Sequence, residues 1–226
     1  MKRLLSILLA IITLFTLATT SYAATTLFLG KSIDGKERLE YNDTLTADTD
    51  GTLIDLSYTK LLKISLEYEP GEYEIDKTRC SREIWLLQAG YPLIIKDDDF
   101  LYFTVGNFNY SLYKSDFLGK IKYETNLATL GFDLAATITD KFSFDLAIQH
   151  SISGGEYHLY KVSIMDSYNK NLPVDLTVCK LQLRYILTDN LGIVMNCRFL
   201  RFEANDSSIP IRQDVRNTYM GLVYRF

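Results

Sequence analysis

The sequence predicts an all-β fold: a closed, antiparallel, up-and-down transmembrane β-barrel of about ten strands, eight and twelve being the neighbouring even counts. Three observations predict it. Apolar and polar residues alternate with period two along most of the chain. The links between alternating stretches are short and long by turns. The N-terminus reads as an export segment, and no second long apolar run follows it.

Composition sets the frame. A chain of 226 residues makes one ordinary domain or two small ones. Its 24 Lys and Arg stand against 28 Asp and Glu, a net charge of −4, which argues against a nucleic-acid partner held by basic charge. A hydrophobic share of 47% with a mean hydropathy of zero excludes disorder, and is too polar for a bundle of membrane helices. Sixteen Tyr and only four Pro lean towards strands.

The chain starts with Lys2 and Arg3, then an uncharged apolar run from Leu4 to Leu17, then Ser21-Tyr22-Ala23 with small residues at the −3 and −1 positions. This is the plan of a secretory signal peptide, residues 1–23, cleaved after Ala23. The run of 14 residues is short of the roughly 20 that a spanning helix needs. Residues 24–226 then form the barrel domain.

The predicted strands follow in order over 25–32, 52–60, 62–75, 82–94, 100–113, 125–138, 141–154, 175–187, 190–204 and 213–226. In the second and third, Ile54, Leu56 and Tyr58 oppose Asp55, Ser57 and Thr59, and Ile64, Leu66 and Tyr68 oppose Lys63, Ser65 and Glu67. In the fourth, Trp85, Leu87, Ala89, Tyr91 and Leu93 oppose Gln88 and Gly90. The faces of 100–110 are mixed, which predicts a bulge there. In the sixth and seventh, Leu130, Phe132 and Leu134 oppose Asp133, and Phe144, Leu146 and Ile148 oppose Asp145 and Gln149. In the eighth and ninth, Leu181, Leu183 and Tyr185 oppose Lys180, Gln182 and Arg184, and Ile193, Met195 and Cys197 oppose Asn196 and Arg198. Links near 61, 95–99, 139–141 and 188–190 are short. Those near 33–51, 76–81, 114–124, 155–174 and 205–212 are mostly longer and more polar. A soluble sandwich or lipocalin-like barrel would show a similar alternation.

The last strand separates these alternatives. The chain ends Tyr219-Met220-Gly221-Leu222-Val223-Tyr224-Arg225-Phe226. Tyr219, Gly221, Tyr224 and Phe226 match, position by position, the C-terminal assembly signal polar-x-Gly-x-x-aromatic-x-aromatic, with Tyr as the polar entry. In this the sequence resembles the bacterial outer-membrane β-barrel class. The resemblance implies an outer-membrane location in a Gram-negative-type envelope. It also implies insertion by the barrel-assembly machinery with periplasmic chaperones, and contact with outer-membrane lipid and lipopolysaccharide. A monomer without cofactor is expected.

With apolar faces towards lipid, the opposite faces line a lumen. Its charges would be Asp55, Glu67, Glu69, Asp133 and Asp145 against Lys63, Lys180, Arg184, Arg198 and Arg225. Ten strands leave little room, so these charges form either a compensated polar core or a narrow porin-like channel. No metal spacing occurs. Cys179 and Cys197 fall on the apolar face of consecutive strands as candidate cross-strand neighbours, and Cys80 is left over. His150 precedes Ser151 directly, so the two point to opposite faces. Outer-membrane lipid A deacylases resemble this only in residue types, because their His and Ser are spaced to share a face. The expected function is therefore a barrel without catalytic activity, structural or porin-like. Adhesion or recognition through the outer loops, where Tyr157, His158, Tyr160, Lys161, Tyr168 and Lys170 lie, is the alternative. A lipid-A-active rim enzyme is a distant third.

The terminal aromatic acts as recognition element and interfacial anchor at once. Phe226→Asp, or deletion of Phe226, should block assembly and leave export intact. Normal outer-membrane levels of the variant in fractionated cells would contradict this.

Overall fold

The computed structural model describes residues 24–41, 43–59, 62–75, 78–96, 99–116, 119–152, 155–163, 167–205 and 210–226. The expected signal peptide lies outside the described residues, as do Asp97 and Asp98 of the acidic run Asp97-Asp98-Asp99. The chain forms strands β1 (Ala24–Tyr41), β2 (Asp43–Thr59), β3 (Lys63–Ile75), β4 (Thr78–Lys96), β5 (Asp99–Asp116), β6 (Gly119–Thr139), β7 (Phe142–Ser151), β8 (Gly155–Ser163), β9 (Ser167–Ile186), β10 (Leu191–Asn205) and β11 (Pro210–Arg225).

Each strand pairs antiparallel with its neighbours, and β11 pairs with β1 to close the ring. β7 and β8 lie end to end. Both are held between β6 and β9, so they fill one place in the ring. The barrel therefore has ten strands. Both described ends of the chain, Ala24 and Phe226, lie at one end of the barrel, here the terminal end; the opposite end is the distal end.

The outward faces carry the apolar residues. Leu87, Phe132, Ile148, Leu222 and Tyr224 are all exposed. Polar neighbours on the same strands turn inward: Gln88, Asp133, Gln149 and Asn196 are buried. Such a wall suits hydrocarbon outside and a filled polar lumen inside. Distal to this band the outward positions become polar, at Lys31, Asp50, Glu83, Asn107, His150, Asp175, Arg201 and Arg216.

Three expectations are corrected. The segments 33–51, 114–124 and 155–174 are mostly strand and not loop. One residue separates β1 from β2, two separate β5 from β6 and three separate β8 from β9. β6 has 21 residues and β9 has 20, whereas about 9–11 suffice to span a bilayer. The strands run on past the apolar band, where water or polar neighbours meet the outer face and alternation of hydropathy is no longer needed.

The mixed faces of 100–110 do not come from a bulge within that stretch. The β5–β6 register is unbroken, and the shift falls on β4, between Pro92 and Ile94. The faces look mixed because the lumen itself turns apolar: Phe108 and Tyr110 point inward while Asn107 and Asn109 point outward. Finally, Cys179 and Cys197 are not directly opposite. Cys179 faces Phe199, and Cys197 faces Leu181. None of the three cysteines forms a disulfide.

The faces of β9 give a direct test. Leu183→Arg places a charge on the apolar wall, at a cost of roughly 2–4 kcal/mol near the bilayer midplane. Gln182→Arg places it in a polar lumen beside Asp145. A urea refolding titration should show the first variant as much the weaker.

Candidate functional site

Among the described residues, the lumen gathers chemistry-bearing side chains in three zones. At the terminal end lies an open vestibule of about 500 Å³, lined among others by Asp55, Lys63, Tyr102, Asp145, Lys180 and Arg184. Here Lys63 Nζ donates to Asp133 Oδ2 at 2.5 Å, from β3 to β6. Arg184 lies 3.7 Å from Asp145 on the neighbouring β7. Arg225 stays exposed at the vestibule's mouth.

The middle layer is a chain of alternating charge. Glu37 receives Arg82 Nη1 at 2.8 Å, and Arg82 Nη2 donates to Glu69 at 2.6 Å. Glu69 also accepts from Arg198 Nη1 at 2.9 Å. Arg198 Nη2 lies 3.2 Å from Glu67, and Lys180 Nζ donates to Glu67 at 2.5 Å. Lys180 ends the chain 3.6 Å from Asp55. Four carboxylates thus alternate with three cations, and none of these side chains is more than 8% exposed. The pairs join β3 to β9 and β10 across the lumen, so they tie opposite walls together.

Neutral groups complete the layer. Gln213 donates to Glu37 and, at 2.6 Å, to the Tyr110 hydroxyl, which donates in turn to Glu37 at 3.3 Å. Asn217 donates to Glu69 at 2.7 Å and accepts from Thr49. Asn196 donates to Gln182 at 3.1 Å. Buried charge persists only where such partners surround it.

Beside this chain, and beyond Lys180 on β9 and Arg198 on β10, the lumen is apolar. Ile84, Leu86, Phe108, Tyr110, Leu176, Val178, Leu200 and Phe202 pack into a buried core, with the Tyr110 and Phe202 ring centroids 4.8 Å apart. A second cluster, Phe28, Leu53, Val194, Tyr219 and Val223, fills the side of the closing seam.

Every lumen charge expected from the sequence lies on an inward face, but the partners differ. Arg198 meets Glu67 and Glu69, whereas Asp133 is taken by Lys63. Sequence reasoning missed Glu37 and Arg82. Glu37 lies in a segment read as a connection. A register shift in β1 between Ser32 and Asp34 leaves Ile33 exposed and turns Gly35 and Glu37 inward. Arg82 was legible, because it shares parity with Gln88 and Gly90.

The C-terminal residues lie on the closing strand. Tyr219 is fully buried in the lumen. Gly221 faces Gly30 across the seam, and a Cβ there would sit 1.9 Å from the Leu29 carbonyl oxygen. The close approach of the two backbones therefore requires glycine. Tyr224 and Phe226 point outward with ring centroids 4.9 Å apart, and Phe226 N donates to Thr25 O at 3.0 Å.

No arrangement for nucleophilic catalysis forms among the described side chains. His150 faces outward with Nδ1 3.1 Å from Thr177 Oγ1, while Ser151 Oγ faces inward and accepts from Leu176 N. The side chains of Tyr157, His158, Tyr160, Lys161, Tyr168 and Lys170 lie outside the described residues. Among the described residues no group of three or more His, Cys, Asp or Glu could hold a metal ion.

No family model matches the sequence, and no curated protein matches it. The structure is similar to that of the outer-membrane protease OmpT from Escherichia coli, with a TM-score of 0.61 and 11% identity over 92% of this chain and 98% of that one. Weaker likenesses are the translocator domain of the autotransporter NalP from Neisseria meningitidis (TM-score 0.48, 9% identity, 92% and 90% covered) and Ail, the attachment invasion locus protein of Yersinia pestis (TM-score 0.42, 12% identity, 91% and 100% covered). At 11% identity the first likeness is one of fold: the chain has the closed antiparallel barrel of bacterial outer-membrane proteins.

The charge chain should behave as a coupled unit. Arg198→Gln should cost roughly 3–5 kcal/mol, because Glu67 and Glu69 stay buried beside a lost cation. Adding Glu69→Gln should recover part of this, with a coupling of roughly 0.5–3 kcal/mol in a double-mutant cycle. Strict additivity in denaturant unfolding would mean that the two groups do not share an environment.

Proposed function

We propose that this chain is an outer-membrane barrel without catalytic activity whose lumen is filled, so that it serves as a structural platform and not as an open pore. The observation that carries this reading is the packing of a buried charge chain, from Glu37 to Asp55, against an apolar core around Phe108 and Phe202. A solute entering the terminal vestibule meets paired charges tying opposite walls, and then the packed side chains of Leu176, Val178, Leu200 and Phe202. Of the two forms left open by the sequence, a compensated core and a narrow channel, this arrangement favours the first.

On this reading the chain is exported by cleavage after Ala23. It is then guided by periplasmic chaperones to the assembly machinery, with Tyr219, Gly221, Tyr224 and Phe226 as the recognised signal. It works as a monomer in contact with outer-membrane lipid and lipopolysaccharide, with the terminal end in the periplasm. A second reading, surface adhesion or recognition, is supported by the length of β1, β2, β6 and β9, which carry the barrel wall well past its apolar band. Enzymatic action has the weaker support, since His150 and Ser151 face opposite ways.

Planar-bilayer recording tests the filled lumen. The refolded protein should show no stable conductance step, whereas loss of Arg82, which holds Glu37 and Glu69, should give brief openings. Steady ohmic conductance of the unmodified protein would overturn the reading.

A further inference from the structure

The wall between β2 and β3 has a defect just distal to the apolar band. Their register runs from Thr49–Tyr73 to Gly51–Gly71 and resumes at Ile54–Tyr68, and the two positions between are unpaired. Pro70 falls in this gap and has no N–H to give. Gly51 and Gly71 face each other directly and bring no side chains. The defect opens outward as a pocket of about 370 Å³, bordered by Lys31, Asp50, Thr52, Pro70, Glu72 and Ser81, with Arg82 and Glu83 beside them.

Immediately on the terminal side, one residue pair into the band, Tyr68 and Trp85 stack with ring centroids 4.0 Å apart. Leu87, next along β4 on the same face, is exposed. The pocket thus joins a polar seat to an aromatic and apolar strip that leads towards the membrane interior.

The chemistry of the rim selects the occupant. Unpaired strand edges at the margin of a hydrocarbon layer need partners that both donate and accept. Thr52 and Ser81 add hydroxyls, and Asp50, Glu72 and Glu83 add acceptors. The cations at the pocket are already engaged: Lys31 lies 2.5 Å from Asp50, Arg82 is held by Glu37 and Glu69, and Arg79 nearby pairs with Glu72. No cation of the described rim is then left to an anionic headgroup. A sugar ring meets these demands, since its hydroxyls donate to carboxylates and accept from serine, and its C–H face packs on aromatic rings.

We propose that this pocket seats the neutral sugar headgroup of an outer-leaflet glycolipid, with an acyl chain running along Tyr68, Trp85 and Leu87. The proposal rests on the reading that this wall faces lipid. A soluble saccharide would leave the apolar strip unused, so the membrane lipid is the committed source.

Trp85 is the only Trp in the chain, and its fluorescence reports on this strip alone. The refolded protein is placed in phosphatidylcholine vesicles, and a brominated-chain lipid is titrated at equal mole fractions. Three headgroups are compared: glucosyl diacylglycerol, phosphatidylcholine and phosphatidic acid. The glucosyl lipid should quench Trp85 with a preference of about tenfold over phosphatidylcholine, the worth of one hydrogen bond to a charged group. Thr52→Leu with Ser81→Leu fills the outward pocket without touching the lumen, and should abolish the preference. Thr218→Leu, on the wall of β11, should leave it unchanged. Equal quenching by glucosyl lipid and phosphatidylcholine, or a preference that survives in the filled variant, would overturn the proposal. So would stronger quenching by phosphatidic acid, which would make the pocket an anion site. Absence of quenching by every lipid, together with no heat-modifiable gel mobility, would instead remove the membrane reading beneath it.

Discussion

The constraint on which the rest depends is that no backbone N–H or C=O can stand unpaired in hydrocarbon. A chain that crosses a bilayer with strands must therefore close its sheet, and here β11 closes on β1 along fourteen registered pairs. Closure allows little freedom at the seam. Gly30 and Gly221 face one another there because a Cβ on either would strike backbone or ring. The wall's register breaks beside Pro70 at the edge of the apolar band, and the β1–β2 pairing is likewise interrupted nearby, between Lys31 and Lys36.

Closure also inverts the usual arrangement of a protein. Apolar residues go outside, and the period-two chain then sends its polar residues into a narrow lumen. Those side chains must satisfy each other. The alternation of Glu37, Arg82, Glu69, Arg198, Glu67, Lys180 and Asp55 is one solution. Each inner member meets two partners of opposite sign, and Gln213, Asn217 and Tyr110 add hydrogen bonds to Glu37 and Glu69. Breaking one link strands a neighbour, which is why such a network holds specific walls together more than it adds net stability.

The distal lumen obeys a different rule. Beyond the hydrocarbon the outer face no longer needs to be apolar, so a conventional core can form inside. Phe108, Tyr110, Leu176 and Phe202 pack as in a soluble barrel. One molecule thus holds two packing regimes end to end, and the charge chain lies near their junction. The bulge at Ile33 serves this junction, since it turns Glu37 inward where β1 would otherwise present Lys36.

The sequence by itself determined the class, the strand count and the inward face of each charge from Asp55 to Arg198. These follow from parity, and parity is local: a residue's face depends only on its distance along its own strand. Glu37 escaped because a bulge resets parity without leaving a mark in composition, and the distal strands were read as loops because hydropathy alternation ends where the bilayer does. The mixed faces of β5 looked like an irregularity, although they mark the change from polar to apolar lumen. Only the tertiary structure decided which charges meet: Arg198 takes Glu67 and Glu69, while Lys63 takes Asp133. Partner choice across a barrel depends on tilt, stagger and side-chain reach between strands far apart in the chain, and no pattern within a single strand encodes those distances.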